Sequence, residues 1–245
     1  MRAFGITDRG AVRKENQDFF RFDIPAGESE LMTAVLCDGM GGARAGSVAS
    51  SIAADTFMSH AANSLDESST SADIRGILTE AVSFANTKVY DRSFDDYSCM
   101  GMGSTLVALM VTGKRAFVAN VGDSRAYRFS KNHLSQITRD HSLVEDMIAR
   151  GKLTREAAMK HPKRNIITRA IGVEASVKAD LFELRFLPGT RILLCSDGLT
   201  NAAPEEEISR ILTEYEDPEG ACKALLDLAL QNGAPDNVTV LIAQH

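Results

Sequence analysis

Short apolar runs rich in β-branched residues recur along the chain and predict its strands. Five are prominent, at 32–37, 106–111, 116–121, 192–195 and 238–243. Each lies close to Gly, Asp or Pro, a pattern typical of strands buried on at least one face. Two apolar pieces within 115–129 flank Gly122-Asp123-Ser124, and this arrangement predicts a β-hairpin with a tight turn.

A second apolar period, of three to four residues, predicts helices over 46–62, 74–90 and 218–231. The serine-rich stretch 64–71 is short enough to be the loop between the first two. Strands and helices therefore occur in blocks and do not alternate strictly. Such an order favours an α+β fold over a doubly wound parallel sheet.

The chain shows no internal repeat and no low-complexity linker, so we expect a single domain over residues 1–245. Two stretches lack both the apolar runs that predict strands and the apolar period that predicts helices. Residues 140–172 are polar and basic, with short helices predicted at 142–149 and 154–160, and we expect them to form an insertion over the surface. Residues 91–102 are predicted to be a polar loop.

Composition and charge exclude several classes of protein. The 245 residues carry a net charge of −6, and 44% of them are hydrophobic. The longest apolar run, about six residues, is far shorter than the roughly 20 that a membrane helix needs, and the first residues lack a signal-peptide pattern. An acidic chain is a poor nucleic-acid binder. The four cysteines form no C-x-x-C pair, which fits reduced thiols in a cytoplasmic protein.

The most informative polar residues are aspartates beside the predicted strands. Asp38 and Asp197 each end a strand and precede glycine, while Asp236 precedes the last strand. Asp18 and Asp123 lie in short polar turns. Clustered carboxylates favour a hard divalent cation such as Mg²⁺ or Mn²⁺ between them. Each aspartate taken alone is equally well explained as a turn residue, and spacing does not show whether the five converge.

Nine short motifs occur in an order that resembles the PP2C (PPM) family of metal-dependent serine/threonine protein phosphatases, in its compact bacterial form. They are TDRG at 7–10, RxxNxD at 13–18, DGMGG at 38–42, GMGST at 101–105, VGDSR at 121–125, TxDHS at 138–142, ITRAIG at 167–172, SDGL at 196–199 and DNVT at 236–239. A single such motif is weak evidence, but the ordered set is specific.

The resemblance implies two packed antiparallel β-sheets flanked by helices on both sides, with a binuclear metal site at one end. It implies that Asp38 bridges two Mn²⁺ or Mg²⁺ ions and that the Gly39 carbonyl binds one of them. Asp197 and Asp236 would supply the other carboxylates of that first metal. Asp18 would serve the second metal, directly or through water.

Further roles follow from the same resemblance. Bacterial members often hold a third, weaker ion, for which Asp123 and Asp197 are the corresponding ligands. Arg13 corresponds to the arginine that binds the substrate phosphate, and a planar guanidinium can hold two phosphoryl oxygens at once. The chemistry implied is attack on phosphorus by a water whose pKa two divalent cations have lowered.

The sequence departs from the family pattern at two positions, Met40 and Gln17, of which the first concerns the proton donor. Many eukaryotic relatives carry His where this chain has Met40, which cannot donate a proton. His141 and His161 could approach the site instead, although a lone histidine is more often structural. Gln17 stands where Glu is common. A thiol phosphatase is excluded, because no cysteine is followed six positions later by arginine.

The function expected from the sequence is hydrolysis of phosphoserine and phosphothreonine in proteins, opposing a bacterial serine/threonine kinase, by a monomer. Two alternatives stay open: a non-catalytic phosphoprotein-binding module, and a phosphatase dedicated to one stress or sporulation regulator. The segment 140–172 corresponds to the flap of bacterial relatives. Because it is cationic and phosphosubstrates are anionic, we expect it to influence substrate choice.

Overall fold

The computed structural model describes residues 1–26, 30–41, 45–95 and 97–245, and for Met159 only the backbone. Gly42, the last residue of the DGMGG motif, lies outside the described residues.

The strands are β1 (Arg2–Asp8), β2 (Asp18–Asp23), β3 (Leu31–Met40), β4 (Gly103–Ser104), β5 (Leu106–Thr112), β6 (Arg115–Val121), β7 (Arg125–Ser130), β8 (His133–Gln136), β9 (Asp180–Arg185), β10 (Arg191–Cys195) and β11 (Val238–Gln244). The helices are α1 (Ala45–Ser64), α2 (Ser71–Asp95), α3 (Leu143–Ala149), α4 (Arg155–Met159), α5 (Asp197–Ala202), α6 (Glu205–Glu214) and α7 (Pro218–Gln231), with a 3₁₀ turn at Tyr97–Cys99.

The strands form two antiparallel sheets. The first has the order β1-β11-β10-β7-β8, and the second has the order β2-β3-β5-β6-β9, with the short β4 paired to the end of β3. Helices α1 and α2 pack on the second sheet, and α5, α6 and α7 pack on the first. The predicted α+β sandwich with helices on both sides is therefore confirmed.

Strand β3 shows why its sequence is continuously apolar. Met32, Ala34 and Leu36 face the core between the two sheets, whereas Val35 and Cys37 face the layer beneath α1 and α2. A strand covered on both faces has no polar side, so its residues do not alternate between apolar and polar.

One prediction, the hairpin within 115–129, is wrong. Strand β6 belongs to the second sheet and β7 to the first, so the turn at 122–124 carries the chain across the sandwich. Strand β6 is buried along almost its whole length, and an apolar run of that kind does not reveal which neighbour it pairs with. The crossing brings Asp123 to the end of both sheets.

The predicted helices agree with the observed helix bounds to different extents. Helix α7 has the predicted bounds, because Asp217 caps its first turn and Pro218 begins it. Helix α2 continues to Asp95, into the stretch 91–102 that we predicted to be a loop; its last turn buries only the polar Ser93 and exposes Phe94, so no apolar period marks it as helix. The amphipathic helix α6 was not predicted.

The segment 140–172 contains the two short helices predicted for it. Ser142 and Thr154 accept hydrogen bonds from the first turns of α3 and α4, which makes them N-caps. No residue of α3 is buried. Along the part of the chain that the structure describes, no helix combines the length and apolar character needed to cross a membrane.

Candidate metal and phosphate site

The site begins with a pair of facing aspartates in the second sheet. Asp18 is the first residue of β2 and stands directly opposite Asp38, near the end of β3, in the antiparallel register. Directly opposed residues project from the same face of a sheet with their Cβ atoms about 5 Å apart. Two carboxylates so placed repel each other unless a proton or a cation lies between them.

The backbone at Asp38 is fixed by Ser104 and Thr105, where β4 ends and just before β5 begins. The amide of Asp38 donates to the Thr105 hydroxyl (2.9 Å), and the Thr105 amide donates to the Asp38 carbonyl (2.8 Å). The Ser104 hydroxyl donates to the same carbonyl (3.0 Å). Burial, followed by the charge of Asp18, raises the pKa of Asp38 well above its ordinary value.

Asp18 is buried and joins the two sheets. Its Oδ2 accepts hydrogen bonds from the hydroxyls of Ser196 and Thr239, each 2.7 Å long, and both donors belong to the first sheet's side of the molecule. Its Oδ1 is buried without a hydrogen-bond partner. Burial raises the pKa of Asp18 to about 6, although the two hydroxyls act in the opposite direction.

Asp197 begins helix α5 immediately after β10. Its Oδ2 accepts a hydrogen bond from the Asn201 amide (2.9 Å), and its Oδ1 is a second buried carboxylate oxygen without a partner. Burial, followed by the negative charge of Asp236, raises the pKa of Asp197 to about 6.

Asp236 is the aspartate that already has a cationic partner. The Arg13 guanidinium donates to Asp236 Oδ2 (2.6 Å), and the backbone N–H of Asn237 donates to Asp236 Oδ1 (2.9 Å). The Arg13 side chain is 53% exposed, so it lies between the carboxylates and solvent. Its hydrogen bond to Asp236, reinforced by the charges of Asp38 and Asp197, raises the pKa of Arg13.

A single amide side chain fixes the loop that carries Arg13. Asn237 Nδ2 donates to the carbonyls of Arg9 (2.8 Å) and Glu15 (2.9 Å), and Asn237 Oδ1 accepts from the amide of Gln17 (2.8 Å). The loop is thereby attached to the start of β11, next to Asp236. This role of Asn237 was not predicted, and its only signal in the sequence is its position beside Asp236, a predicted ligand.

Asp123 lies in the turn between the sheets, where burial and then the charge of Asp197 raise its pKa to about 7. The nearby Arg125 guanidinium donates to both carboxylate oxygens of Asp140 (2.7–3.0 Å) and to the Tyr127 hydroxyl (3.0 Å). The positive charge of Arg125 acts in the opposite direction and lowers the pKa of both Asp123 and Asp197. The turn thus brings Asp123 within electrostatic reach of Asp197.

Gly39 contributes its backbone to the site. Its amide donates to the Gln17 carbonyl (3.1 Å), and a Cβ built on Gly39 would stand 2.0 Å from the carbonyl oxygen of Gly46 in the first turn of α1. Only glycine allows this close approach.

The donor set fits divalent cations. Two buried carboxylate oxygens, on Asp18 and Asp197, lack hydrogen-bond partners among the described residues, and burial is the main cause of the raised pKa values of Asp18, Asp38, Asp123 and Asp197. A hard cation bound by these oxygens would supply the missing partners and would offset the cost of burying the carboxylate charges. As they stand, no three His, Cys, Asp or Glu side chains of the described residues are arranged to hold one. The individual ligand assignments therefore stay predictions.

The two histidines considered as proton donors, His141 and His161, have other partners in the structure. His141 is buried, its Nδ1 accepts from the Gly122 amide (3.0 Å), and its Nε2 lies 3.2 Å from Asp180. It therefore supports the turn beside Asp123. His161 Nδ1 accepts from the Lys163 amide (3.1 Å) within the basic segment. All four cysteines are free and buried.

Comparison with known proteins identifies related phosphatases. The family model of protein phosphatase 2C matches residues 10–231. The serine/threonine phosphatase stp of Listeria monocytogenes is 37% identical over 98% of this chain and 94% of its own length.

Solved structures agree as well. The S. agalactiae serine/threonine phosphatase superimposes with a TM-score of 0.90 at 32% identity, covering 100% of this chain and 99% of the other. The catalytic domain of the phosphatase PstP, solved with 2 manganese ions, gives a TM-score of 0.83 at 33% identity and covers 99% of this chain and 97% of the other. The chain thus belongs to the protein phosphatase 2C family.

Proposed function

We propose that this protein is a metal-dependent phosphatase that hydrolyses phosphoserine and phosphothreonine in proteins. The observation that carries the proposal is the cluster of aspartates with raised pKa values and two unpartnered oxygens, with the half-exposed Arg13 at its edge. An anionic substrate would not approach such a cluster without cations, so the function requires them.

The residues that would hold two Mn²⁺ or Mg²⁺ ions are Asp38, Gly39 through its carbonyl, Asp197, Asp236 and Asp18. Divalent cations, when bound there, lower the pKa of water and neutralise phosphoryl charge. Two of them add a charge of +4 to the most acidic part of a protein whose net charge is −6. The overall acidity is therefore compatible with an anionic substrate.

A third, weaker ion would use Asp123 and Asp197. The support for it is electrostatic, because the charge of Asp197 contributes to the raised pKa of Asp123.

Arg13 binds and orients the phosphoryl group. Its guanidinium presents further N–H donors beyond the one bonded to Asp236, and these match the geometry of phosphoryl oxygens. Its ion pair with Asp236 also orients that carboxylate. Arg13 therefore serves the substrate and the ligand set together.

The partners proposed are phosphorylated proteins and a cognate serine/threonine kinase whose action this protein reverses. We also propose that the protein is a monomer and is cytoplasmic. The four free, buried cysteines support a reducing compartment.

The experiment is hydrolysis of matched phosphoserine, phosphothreonine and phosphotyrosine peptides by the purified chain with Mn²⁺ or Mg²⁺. We expect phosphate release from the first two, complete loss with EDTA, and recovery when metal is restored. Binding of the phosphopeptides without turnover under every metal condition would support a non-catalytic binding module instead.

A further inference from the structure

Three chain segments meet beside the aspartate cluster. In β3, Met40 is paired with Gly103 of β4. On the other side of β4, Ser104 and Ile171 exchange two backbone hydrogen bonds, of 3.0 and 2.8 Å. The end of the 140–172 segment is thus attached, through β4, to the strand that carries Asp38.

The absence of a side chain at Gly103 lets two apolar side chains approach each other. A Cβ built on Gly103 would stand 2.7 Å from Met40 Cε and 2.8 Å from Val173 Cγ2. Both methyl groups therefore lie over the Gly103 backbone. We refer to Met40, Gly103 and Val173 as the apolar platform.

The platform borders the site because of strand geometry. Met40 follows Asp38 by two residues in β3, so the two side chains leave the same face of the strand, about 7 Å apart. That distance is also spanned by about two residues of an extended peptide. A substrate with its phosphoresidue at the aspartates would place a near neighbour over the platform.

Val173 is exposed although its backbone is firmly held. The buried Asn86 side chain of α2 accepts from the Gly172 amide (2.8 Å) and donates to the Glu174 carbonyl (2.9 Å). Asn86 is 1% exposed, whereas Val173 is 53% exposed. An apolar side chain held in place but facing solvent can bind a ligand with little further ordering cost.

We propose that the apolar platform binds an apolar side chain of the protein substrate, within two residues of the phosphoserine or phosphothreonine. The inference rests on the proposed function and specifies its substrate class: phosphosites with a leucine-like neighbour. Met40 and Val173 are its specificity-determining residues. Binding removes apolar surface of the exposed Val173 and of the partly buried Met40 from water together with the substrate side chain.

The test compares phosphothreonine peptides of one polar host sequence in which Leu replaces Ser at each of the two positions on either side of the phosphoresidue. Wild-type protein with Mn²⁺ is expected to prefer Leu in kcat/KM by about fivefold to tenfold at one or more positions. Val173→Thr, nearly isosteric, should reduce the preference about threefold. Val173→Asp should abolish it; the preference is taken as the ratio of kcat/KM for the Leu peptide to that for the polar host peptide within each variant, so a loss common to both peptides does not count.

The matched control is Val12→Thr, the same substitution at another exposed valine, beside Arg13, and it should leave the Leu preference unchanged. Equal kcat/KM for all peptides in the wild type would overturn the proposal, as would a Leu preference that survives Val173→Asp or falls equally in Val12→Thr. The proposed function fails separately, if even the polar host peptide is not hydrolysed.

Discussion

The Ser196 hydroxyl donates a 2.7 Å hydrogen bond to Asp18 Oδ2, and in doing so it links the first sheet to the second at the aspartate cluster. Thr239 donates to the same oxygen. One oxygen of Asp18 is therefore fully used by hydroxyls, while Oδ1 stays unpartnered. The two hydroxyls orient Asp18 so that its free oxygen is available to a cation.

Removing one of these hydroxyls should weaken metal binding more than catalysis. For Ser196→Ala we expect the apparent affinity for Mn²⁺ to fall about tenfold to a hundredfold, the usual effect of losing a group that orients a metal ligand. Activity at saturating Mn²⁺ should fall much less. Mn²⁺ titration of phosphatase activity measures both, with Ser135→Ala, at an exposed position, as the control. An unchanged Mn²⁺ affinity would show that Ser196 does not orient Asp18.

The metal-free protein should lose stability as the pH rises. The pKa values of Asp18 and Asp197 are raised from 3.8 to about 6, and that of Asp123 to about 7. Between pH 4 and pH 7 the folded state thus holds more protons than the unfolded state, so the free energy of unfolding falls with increasing pH.

Thermal unfolding in EDTA, followed by circular dichroism from pH 5 to pH 7.5, measures this effect. We expect Tm to fall by several degrees over the range, and Mn²⁺ to raise it most at the upper end, where bound cations replace protons. A Tm in EDTA that is constant or increases between these pH values would contradict the electrostatic description of the site.

A buried arginine outside the site should matter for stability alone. Arg191 is 8% exposed, donates to the carbonyls of Leu212 and Tyr215 at the end of α6, and lies over the Phe129 ring. Arg191→Met should lower the free energy of unfolding by about 2–4 kcal/mol, because it leaves buried carbonyls without donors.

The matched control is Arg210→Met, which removes two exposed ion pairs, to Glu207 and Glu214. Such surface pairs contribute at most about 1 kcal/mol. Urea denaturation of both variants, each with EDTA, gives the comparison. A loss at Arg191 no larger than that at Arg210 would show that capping of α6 by Arg191 contributes little.

Charge reversal in the basic segment should affect protein-like substrates selectively. For the double variant Lys163→Glu and Arg164→Glu, we expect kcat/KM to fall more for acidic phosphopeptides than for p-nitrophenyl phosphate, because only the peptides extend over the segment. The ratio of the two kcat/KM values is the measurement, made at two salt concentrations. Equal losses for both substrates would exclude a role of this segment in substrate choice.

The sequence predicted well those elements whose characteristic residues all lie within or next to the element itself. Helix α7 was predicted with its observed bounds because its apolar period and the glycine that follows it, Gly233, occur close together in the sequence. The strand pairing at 115–129 could not be predicted in this way, because β6 pairs with β5 and β7 pairs with the distant β10, and the local sequence does not specify these partners.

The site shows the same division. The aspartates were found from their motifs. The polar groups that support them, the side-chain amide of Asn237 and the hydroxyls of Ser196 and Thr239, act across sequence separations of about 200 residues. Common polar residues carry no sign of such distant partners. Their roles depend on the packing of the two sheets, which the sequence pattern does not specify.

The most direct test of the account is Mn²⁺-dependent hydrolysis of a phosphothreonine peptide by Asp38→Asn. This change keeps the shape of the side chain and removes the charge that is proposed to hold both metals. We predict a loss in kcat/KM of at least about a hundredfold at saturating Mn²⁺, exceeding the loss typical of residues that only support a ligand, with an unchanged circular dichroism spectrum. Activity within a few-fold of the wild type would contradict the proposed site.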